Sequence, residues 1–314
     1  MAELPEEFTT RLQAIIPSED YDEVLSSFHG RRSLTVRVNT LKTTIEEAKE
    51  ELQAMGISVE QIEWLPEAFV LPIECKSQLS SSPAFNEGRI YIQGFASMLA
   101  AYALKPEPGE TVLDLAAAPG GKTLHIAALM KNEGKLSAVE AVKGRFFKLK
   151  ANLENYGATM VRTFLMDGRA VGKKCPEMFD RILLDAPCSS EARIVADEPK
   201  SWEHWSVRKV KEAARKQKGL LSSAWHSLKP GGRLVYCTCS FAPEENELSV
   251  QKLIKKFGNQ VGIEGINIPM DNIQSGLTSW QGKELYPDLN KAVRVLPNEI
   301  MDGFFLISLR KVEA

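Results

Sequence analysis

Four acidic residues stand at or just after the ends of predicted β-strands, and two cysteines also lie close to strand ends. They are Asp114, Glu140, Asp167 and Asp185, followed by Cys188 and Cys239. Carboxylates accept hydrogen bonds from ribose hydroxyls and amines, and they attract positive charge. A thiolate acts as a nucleophile when neighbouring groups lower its pKa. The two residue types therefore predict a nucleoside site beside candidate nucleophiles.

The glycine turn after the first acid is close to two nucleotide-binding loops but matches neither. It ends in Gly121-Lys122-Thr123, as a P-loop does, but Ala116 stands where a P-loop needs its first glycine. The glycines Gly120 and Gly121 are adjacent, so G-x-G-x-x-G also fails. Glu140 lies 19 residues after Gly121, near the spacing of a ribose-binding acid. S-adenosylmethionine offers a ribose diol, an amine and a sulfonium, so the acids favour this cofactor over ATP.

Each of these signals also has an ordinary structural explanation. A single acid at a strand end is usually solvated, but four on consecutive strands after a glycine turn favour a site. A single cysteine in an apolar strand usually only packs. We interpret Cys237 in that way, although residues two apart on a strand can share a face. The five cysteines form no C-x-x-C pair, so we expect no metal and a reducing compartment.

Two parts of the chain differ in pattern, and the second would position these residues. From residue 86 strands alternate with helices, which predicts a doubly wound, mostly parallel sheet with its ligand site at the carboxyl ends of the strands. Residues 1–85 mix helix and strand patterns and predict a smaller α+β lobe. The small-residue stretch SQLSSSPAFNEGR (77–89) is the predicted linker. We therefore expect domains at 1–85 and 86–314.

Composition and charge exclude several classes of protein. The chain has 314 residues, of which 44% are hydrophobic and 25% charged, with a net charge of -2. It lacks an apolar run of 18 residues, and the start MAELPEEFTT lacks the apolar core of a signal peptide. We expect a cytoplasmic protein without membrane contact, and any nucleic-acid footprint must be a local patch.

Three motifs together resemble a known family. DLAAAPGGKT, LLDAPCSS and YCTCSFAPEENE are similar to the cofactor, proline-cysteine and threonine-cysteine-serine motifs of the Sun-type (Nop/Sun) RNA cytosine-5 methyltransferases. YIQGFASMLAAYAL and DGFFLISLRK add to the resemblance, which covers roughly residues 33–310. It implies a class I methyltransferase (Rossmann-like) sheet with an N-terminal RNA-binding lobe. It also implies methyl transfer to C5 of a cytosine in rRNA or tRNA. We expect a monomer.

The resemblance assigns a role to each candidate residue. Cys239 would be the nucleophile that adds to cytosine C6, Cys188 would assist product release, and Asp185 would lie between cofactor and base. Glu140 would bind the ribose hydroxyls and Asp167 the adenine amine. The methionine part of S-adenosylmethionine would be wrapped by Ala116, Ala117, Ala118, Pro119, Gly120, Gly121 and Lys122.

This sequence departs from the family pattern at two positions, and other functions stay open. Ser190 stands where glycine is common, and Cys237 where serine is common, but neither change removes a proposed reacting group. The alternatives are a methyltransferase for a small molecule or DNA, and a catalytically silent RNA-binding assembly factor. The intact Cys188, Cys239 and Asp185 argue against the silent factor.

Basic and aromatic residues mark the predicted RNA contacts. One helix, from about Val207 to Leu228, carries Arg208, Lys209, Lys211, Arg215, Lys216 and Lys218. Arg31, Arg32 and Arg37 mark the N-terminal part. Trp202 and Trp205 precede the basic helix and either stack on bases or pack its start. A basic helix is more often a solvated face, so that alternative stays open.

Overall fold

A computed structural model describes residues 4–30 and 33–313. Its α-helices are α1 (Glu6–Gln13), α2 (Tyr21–Ser26), α3 (Ile45–Ala54), α4 (Lys76–Ser80), α5 (Pro83–Asn86), α6 (Phe95–Leu104), α7 (Gly121–Leu129), α8 (Lys143–Asn155), α9 (Val171–Lys174), α10 (Val207–Ser227) and α11 (Glu247–Phe257). Its strands are β1 (Leu34–Val38), β2 (Glu60–Gln61), β3 (Ala68–Leu71), β4 (Ile90–Ile92), β5 (Thr111–Asp114), β6 (Lys135–Glu140), β7 (Val161–Leu165), β8 (Phe179–Asp185), β9 (Leu228–Thr238), β10 (Val261–Glu264), β11 (Ile273–Ser275), β12 (Ser279–Trp280), β13 (Lys283–Glu284), β14 (Val293–Val295) and β15 (Phe304–Lys311).

The large sheet confirms the predicted α/β architecture. Its strands run in the order β11-β14-β15-β9-β8-β5-β6-β7, and β10 pairs with β15. The pairs within β5–β9 are parallel, whereas β15 returns antiparallel to β9. The order of the strands along the sheet reverses between β5 and β8, which is the point where an open α/β sheet forms its ligand crevice. Buried residues on both faces, such as Leu183 and Leu184, pack against helices on either side.

A small antiparallel sheet, β2-β3-β1-β4, forms a second unit with helices α3–α5. Thr44 and Glu47 form a reciprocal capping box at the N-terminus of α3, worth about 1 kcal/mol. The last strand of this sheet, β4, lies beyond residue 85, so the sheet crosses the expected domain boundary. The exact division into domains stays a prediction.

The predicted linker is wrong as a description of local structure. Residues 76–86 form α4 and α5, and the Ser82 hydroxyl caps α5 while Pro83 occupies its first turn. Serine followed by proline is a favoured helix start as well as a turn signal. Small residues here therefore mark a helix boundary rather than an extended linker.

Helices α1 and α2 pack on the large domain instead of the small sheet. The Phe8 ring lies edge-on to Trp205 at 5.3 Å and to Phe28 at 5.6 Å between centroids. Arg11 also forms a 2.7 Å ion pair with Glu244, just before α11. The expected N-terminal lobe thus contains two packing units, only one of which is built on the small sheet.

Candidate active site

Parallel pairing brings the predicted acids to one edge of the large sheet. Asp114, Glu140 and Asp185 end β5, β6 and β8, and Asp167 lies two residues past β7. A cavity of about 540 Å³ opens at this edge, which is within the size range of small-molecule sites. The small domain supplies part of one wall through Tyr91 and the residues that follow β4.

The glycine turn lines the floor of this cavity. Ala116–Pro119, Gly121 and Lys122 face it, while Gly120 shapes the turn. Gly120 has φ +112°, and a Cβ there would lie 3.0 Å from Leu149 Cδ1, so the turn requires glycine. A Cβ on Gly121 would lie 3.0 Å from the Tyr91 ring. The glycine turn therefore passes close to Leu149 of α8 and Tyr91 of β4.

Lys122 and Asp185 form an ion pair in the cavity wall. Lys122 Nζ lies 2.8 Å from Asp185 Oδ2 and donates to Ser97 Oγ at 2.6 Å. Burial lowers the pKa of Lys122, but the Asp185 carboxylate outweighs burial, and the net pKa is raised. Lys122 therefore stays an ammonium. The Asp185 side chain is 30% exposed, so a bound molecule can reach its carboxylate.

The two predicted cysteines meet at the end of the cavity beside this pair. Cys188 Sγ and Cys239 Sγ are 3.2 Å apart, although their loops follow different strands. The Cys188 hydrogen bond lowers the pKa of Cys239, and with help from the Arg193 charge it outweighs burial. The same bond, together with burial, raises the pKa of Cys188. These opposite shifts favour Cys239 as the thiolate of the pair and Cys188 as the thiol that donates to it.

The two acids along the outer rim, Glu140 and Asp167, differ in burial and in hydrogen-bond partners. Glu140 is 4% exposed, and its Oε1 accepts the Val142 amide at 2.8 Å. Asp167 is half exposed and pairs with Arg169 through both oxygens, a hydrogen bond that lowers its pKa. Neither carboxylate lines the cavity itself, so both lie farther along the sheet edge.

Asp114 serves the turn rather than the open rim. It is 1% exposed, and its Oδ2 accepts the Thr123 hydroxyl at 2.7 Å, which ties β5 to α7. Its Oδ1 finds no hydrogen-bond partner in the described part of the chain. Burial is the main reason that the pKa of Asp114 rises to about 6. An unpartnered buried oxygen in a floor of tight glycines fits a polar ligand group, as the predicted cofactor would supply.

Several residues of the site escaped sequence reasoning. Ser97, Arg145, Arg193, Glu191 and Glu245 lie in or directly behind the cavity wall. Arg145 donates to the Ala118 carbonyl at 2.6 Å and approaches Glu140 Oε2 at 3.7 Å. The motif YCTCSFAPEENE contains Glu245, but nothing in its spacing reveals burial beside a cysteine pair.

Cys237 packs, as interpreted from the sequence. Its side chain is fully buried, and its sulfur lies 3.8 Å from the Leu184 carbonyl and 3.7 Å from Asp185 Oδ1, so it also contacts the back of the site. Burial raises the pKa of this thiol well above its usual range. Within the described ranges, no group of three or more His, Cys, Asp or Glu side chains is arranged to hold a metal ion.

Three residues expected to contact RNA are wholly or partly buried. Arg37 is fully buried and donates to Gln93 Oε1 at 3.0 Å, because both faces of β1 are covered. Trp202 donates to the Ala196 carbonyl and Trp205 to Glu191 Oε1, so both indoles brace the loop before α10. The expectation for Arg37 is therefore wrong. The hydrogen bonds favour the packing alternative for Trp202 and Trp205, but both are half-buried, and their stacking on bases stays a prediction. Arg31 and Arg32 lie outside the described residues.

The basic face of α10 is exposed as predicted. All six cations of that group are solvent-exposed, whereas Val210, Ala214 and Leu221 are buried on the opposite face. Gln217 on the same helix donates to the Pro187 carbonyl at 3.0 Å, directly before Cys188. The basic helix is thus anchored to the cysteine end of the cavity. In residues 4–30 and 33–313, no helix combines the length and apolar content that a membrane crossing requires.

Family comparisons agree with this geometry. The model of the 16S rRNA methyltransferase RsmB/F family matches residues 101–310, and that of the N-terminal domain of 16S rRNA methyltransferase RsmF matches residues 4–94. The chain belongs to the RsmB/F methyltransferase family. The predicted resemblance is thereby confirmed, and so is the predicted cofactor class, S-adenosylmethionine.

Relatives and solved structures extend the comparison across the whole chain. The ribosomal RNA small subunit methyltransferases F of Vibrio campbellii and Aeromonas salmonicida are 36% and 35% identical over 99% and 98% of this chain. The chain spans 64% of the length of each of these relatives.

Two structures from Pyrococcus horikoshii match nearly end to end. A methyltransferase homolog superposes with a TM-score of 0.81 at 31% identity, covering 98% of this chain and 100% of its own. NSun6 with SFG superposes with a TM-score of 0.82 at 25% identity, covering 99% of each chain. The class I methyltransferase fold with a small N-terminal domain is confirmed.

Proposed function

We propose that this protein methylates C5 of a cytosine in small-subunit ribosomal RNA, with S-adenosylmethionine as the methyl donor. The observation that carries the proposal is the 3.2 Å contact between Cys188 and Cys239 beside the Lys122–Asp185 pair. The named relatives act on ribosomal RNA of the small subunit, which favours rRNA over tRNA. Cytoplasmic location and a monomeric state stay predictions.

Cys239 acts as the nucleophile. Cytosine C5 is a weak nucleophile, and addition of the Cys239 thiolate to C6 moves electron density onto C5. The Cys188 hydrogen bond and the Arg193 charge favour the thiolate before RNA arrives. When bound, S-adenosylmethionine would supply the electrophilic methyl group that C5 attacks, with S-adenosylhomocysteine as the leaving group. The glycine turn and Glu140 would hold it, with Asp167 farther along the rim.

Lys122 and Asp185 stabilise charge on the base. Because Lys122 is a buried ammonium, it offsets negative charge that develops on the ring during thiolate addition. Asp185 orients Lys122 through Oδ2, and its Oδ1 lies 3.7 Å from Cys237 Sγ. Lys122 thus contributes to the chemistry as well as to the turn.

Cys188 assists the last step, in which the enzyme releases its product. A base removes the C5 proton, the electron pair of that C–H bond restores the C5–C6 double bond, and the bond between Cys239 Sγ and C6 breaks. The Cys188 thiol, 3.2 Å from Cys239, is placed to hydrogen-bond the departing thiolate. The two cysteines therefore have different roles in one reaction.

Single and double cysteine variants test this proposal. Cys239→Ala removes the nucleophile, so methylation of small-subunit rRNA should fall by at least about 10³-fold, with cofactor binding retained. Cys188→Ala should transfer the methyl group and then accumulate a covalent RNA adduct that survives denaturing electrophoresis. The double variant should lose that adduct, and bisulfite sequencing of the rRNA should locate the modified cytosine.

Cys175→Ala is the matched control, because Cys175 is a half-buried cysteine that does not line the cavity. It should methylate like the unmodified enzyme and form no stable adduct. An adduct in Cys239→Ala that is absent from Cys188→Ala would exchange the two roles. Full turnover in Cys239→Ala would exclude the cysteine mechanism.

A further inference from the structure

A buried network of two carboxylates and two serines lies directly behind the cysteine pair. Ser189 follows Cys188 and Ser240 follows Cys239, so each cysteine is joined to one serine of the network. Glu245, which is fully buried, contacts both serines: its Oε1 accepts the Ser189 hydroxyl and lies 2.8 Å from Ser240 Oγ. Glu245 is thus the group that links the two cysteine loops.

Glu191, the other carboxylate, has a full set of donors. Its Oε1 accepts the Trp205 indole N–H at 2.9 Å. Its Oε2 accepts the amides of Phe241 and Ala242 and the Ser240 hydroxyl, each at 2.9 Å. Four donors stabilise a charged carboxylate in a buried site. Glu191 therefore acts as an acceptor through both of its oxygens.

The hydrogen count requires one further proton. Ser240 Oγ lies within hydrogen-bond distance of Glu191, Glu245 and Ser189, at 2.9, 2.8 and 3.2 Å. A serine carries a single hydroxyl proton. If Ser240 donates its hydroxyl proton to Glu191, it has no proton left for Glu245. The contact between Ser240 and Glu245 is then a hydrogen bond only if Glu245 is protonated and donates to Ser240. Two ionised carboxylates around one hydroxyl would also repel each other.

The opposite oxygen of Glu245 behaves differently. Oε2 accepts the Ser189 amide at 3.0 Å and the Gln217 side-chain amide at 2.8 Å, so it is an acceptor only. Oε1 accepts the Ser189 hydroxyl and would donate to Ser240, whereas Oε2 only accepts, and a neutral carboxylic acid can form this set of hydrogen bonds. In agreement, burial, opposed by the Ser189 bond and reinforced by Glu191, raises the pKa of Glu245 to about 7.

We propose that Glu245 is a positioning residue that carries a proton and, through Ser189 and Ser240, holds Cys188 and Cys239 in hydrogen-bonding contact. The inference deepens the proposed function and rests on it only for the cysteine roles. The other titratable groups that face this network are Glu191, Cys188, Cys239 and Tyr236, whose hydroxyl donates to the Glu245 carbonyl. Arg294 and Glu247 nearby are paired with each other.

Glu245→Gln is the decisive variant, because glutamine has the shape and hydrogen-bond pattern of a protonated glutamate. The glutamine side-chain oxygen can accept from the Ser189 backbone amide and from Gln217, and the glutamine NH2 group can donate to Ser240. Turnover should stay within roughly threefold of the unmodified enzyme. Glu245→Ala leaves the buried Ser189 amide and Gln217 unpartnered, so its turnover should fall more than about tenfold, with the KM for S-adenosylmethionine little changed.

Alkylation by iodoacetamide provides a readout that needs no RNA. In the unmodified enzyme, the pH profile for alkylation of the cysteine pair should show one inflection as Cys239 ionises, because its pKa is lowered to about 6, and a second inflection near pH 7 as Glu245 ionises. Glu245→Gln should lack the second inflection. Glu244→Gln is the matched control, because the neighbouring Glu244 pairs with Arg11 away from the cavity, and it should keep the second inflection.

The outcomes separate this inference from the proposed function. Loss of folding or a more than tenfold loss of turnover in Glu245→Gln would show that an ionised carboxylate is needed, and it would overturn the inference. So would identical alkylation profiles with and without Glu245. If the alkylation profiles differ as expected but no variant methylates rRNA, the positioning role stands and the proposed function fails.

Discussion

The cysteine end and the outer rim of the cavity are built in different ways. At the cysteine end, Lys122, Asp185 and the thiol pair are partly or fully buried and fixed by side chains from several separate segments. At the outer rim, Asp167 is half exposed and its partner Arg169 is two residues away in the chain. The cysteine end is therefore fixed before any ligand binds. At the outer rim, the acids are held by contacts with residues close to them in the chain.

This difference follows from what each end must do. Groups that stabilise a reacting base are most effective when they need no rearrangement, which favours a buried, fully bonded arrangement. A rim that admits and releases a nucleoside in every cycle gains from side chains that solvent can reach. The comparison therefore predicts large effects from changes at the cysteine end and graded effects along the rim.

Lys122→Met should give the largest effect of these changes. It removes the ammonium from a buried pair and leaves Asp185 unpaired, which costs on the order of 3 kcal/mol of folding free energy. Turnover should fall at least about 10²-fold, because the ring loses its compensating charge. Thermal unfolding and methylation rates measure the two effects.

A surface lysine supplies the control for this change. Lys229 pairs with Asp180 at 2.6 Å, but both side chains are partly exposed. Lys229→Met should cost less than about 1 kcal/mol and leave turnover unchanged. Equal losses in the two variants would contradict a special role for the buried pair.

Glu140→Gln should give the next largest effect, and mainly on the cofactor. Glu140 is buried, and loss of a charged acceptor for ribose hydroxyls should weaken S-adenosylmethionine binding by roughly 10- to 100-fold. Calorimetry measures this directly. Glu154→Gln, at an exposed position on α8, should leave the affinity unchanged. An unaltered affinity in Glu140→Gln would remove Glu140 from the cofactor site.

The strand ends could be predicted from the sequence because a parallel sheet gathers them at one edge. The alternation of strands and helices located Asp114, Glu140, Asp185 and both cysteines without any knowledge of contacts. Their separate duties could not be predicted, because they depend on tertiary burial. Asp114 follows a strand as Asp185 does, yet only the structure shows that Thr123 binds it.

Contacts between distant segments explain the remaining errors. Arg37 looked like a surface cation because its strand alternates, but the packing of both sheet faces buries it. Glu245 and Glu191 are 54 positions apart in the chain and meet only through Ser240. No local pattern of residues encodes such a meeting.

Asp167→Asn should give a smaller effect than Glu140→Gln. The side chain is half exposed and asparagine keeps one acceptor for an adenine amine, so cofactor affinity should fall only about two- to fivefold. Asp167→Lys should weaken binding further, because it adds a cation near a cationic ligand. If calorimetry shows a larger loss of cofactor affinity in Asp167→Asn than in Glu140→Gln, the expected order of effects along the rim is wrong.

Neutralising Lys211, Arg215 and Lys216 together should have the smallest effect per residue, and it tests which end of the cavity receives RNA. These exposed side chains lie on the helix that Gln217 anchors beside Cys188, so RNA phosphates that follow α10 lead to the cysteine end. Each phosphate contact contributes roughly 0.7–0.9 to the slope of log affinity against log salt, and three lost contacts should flatten it by about 2–3. Filter binding of rRNA across a salt series gives the slope.

Neutralising Lys143, Lys148 and Lys150 on α8 is the matched control, and an equal change there would mean that only net charge matters. An unchanged slope in the α10 variant would show that its basic face is merely solvated and that RNA approaches the cysteines by another surface.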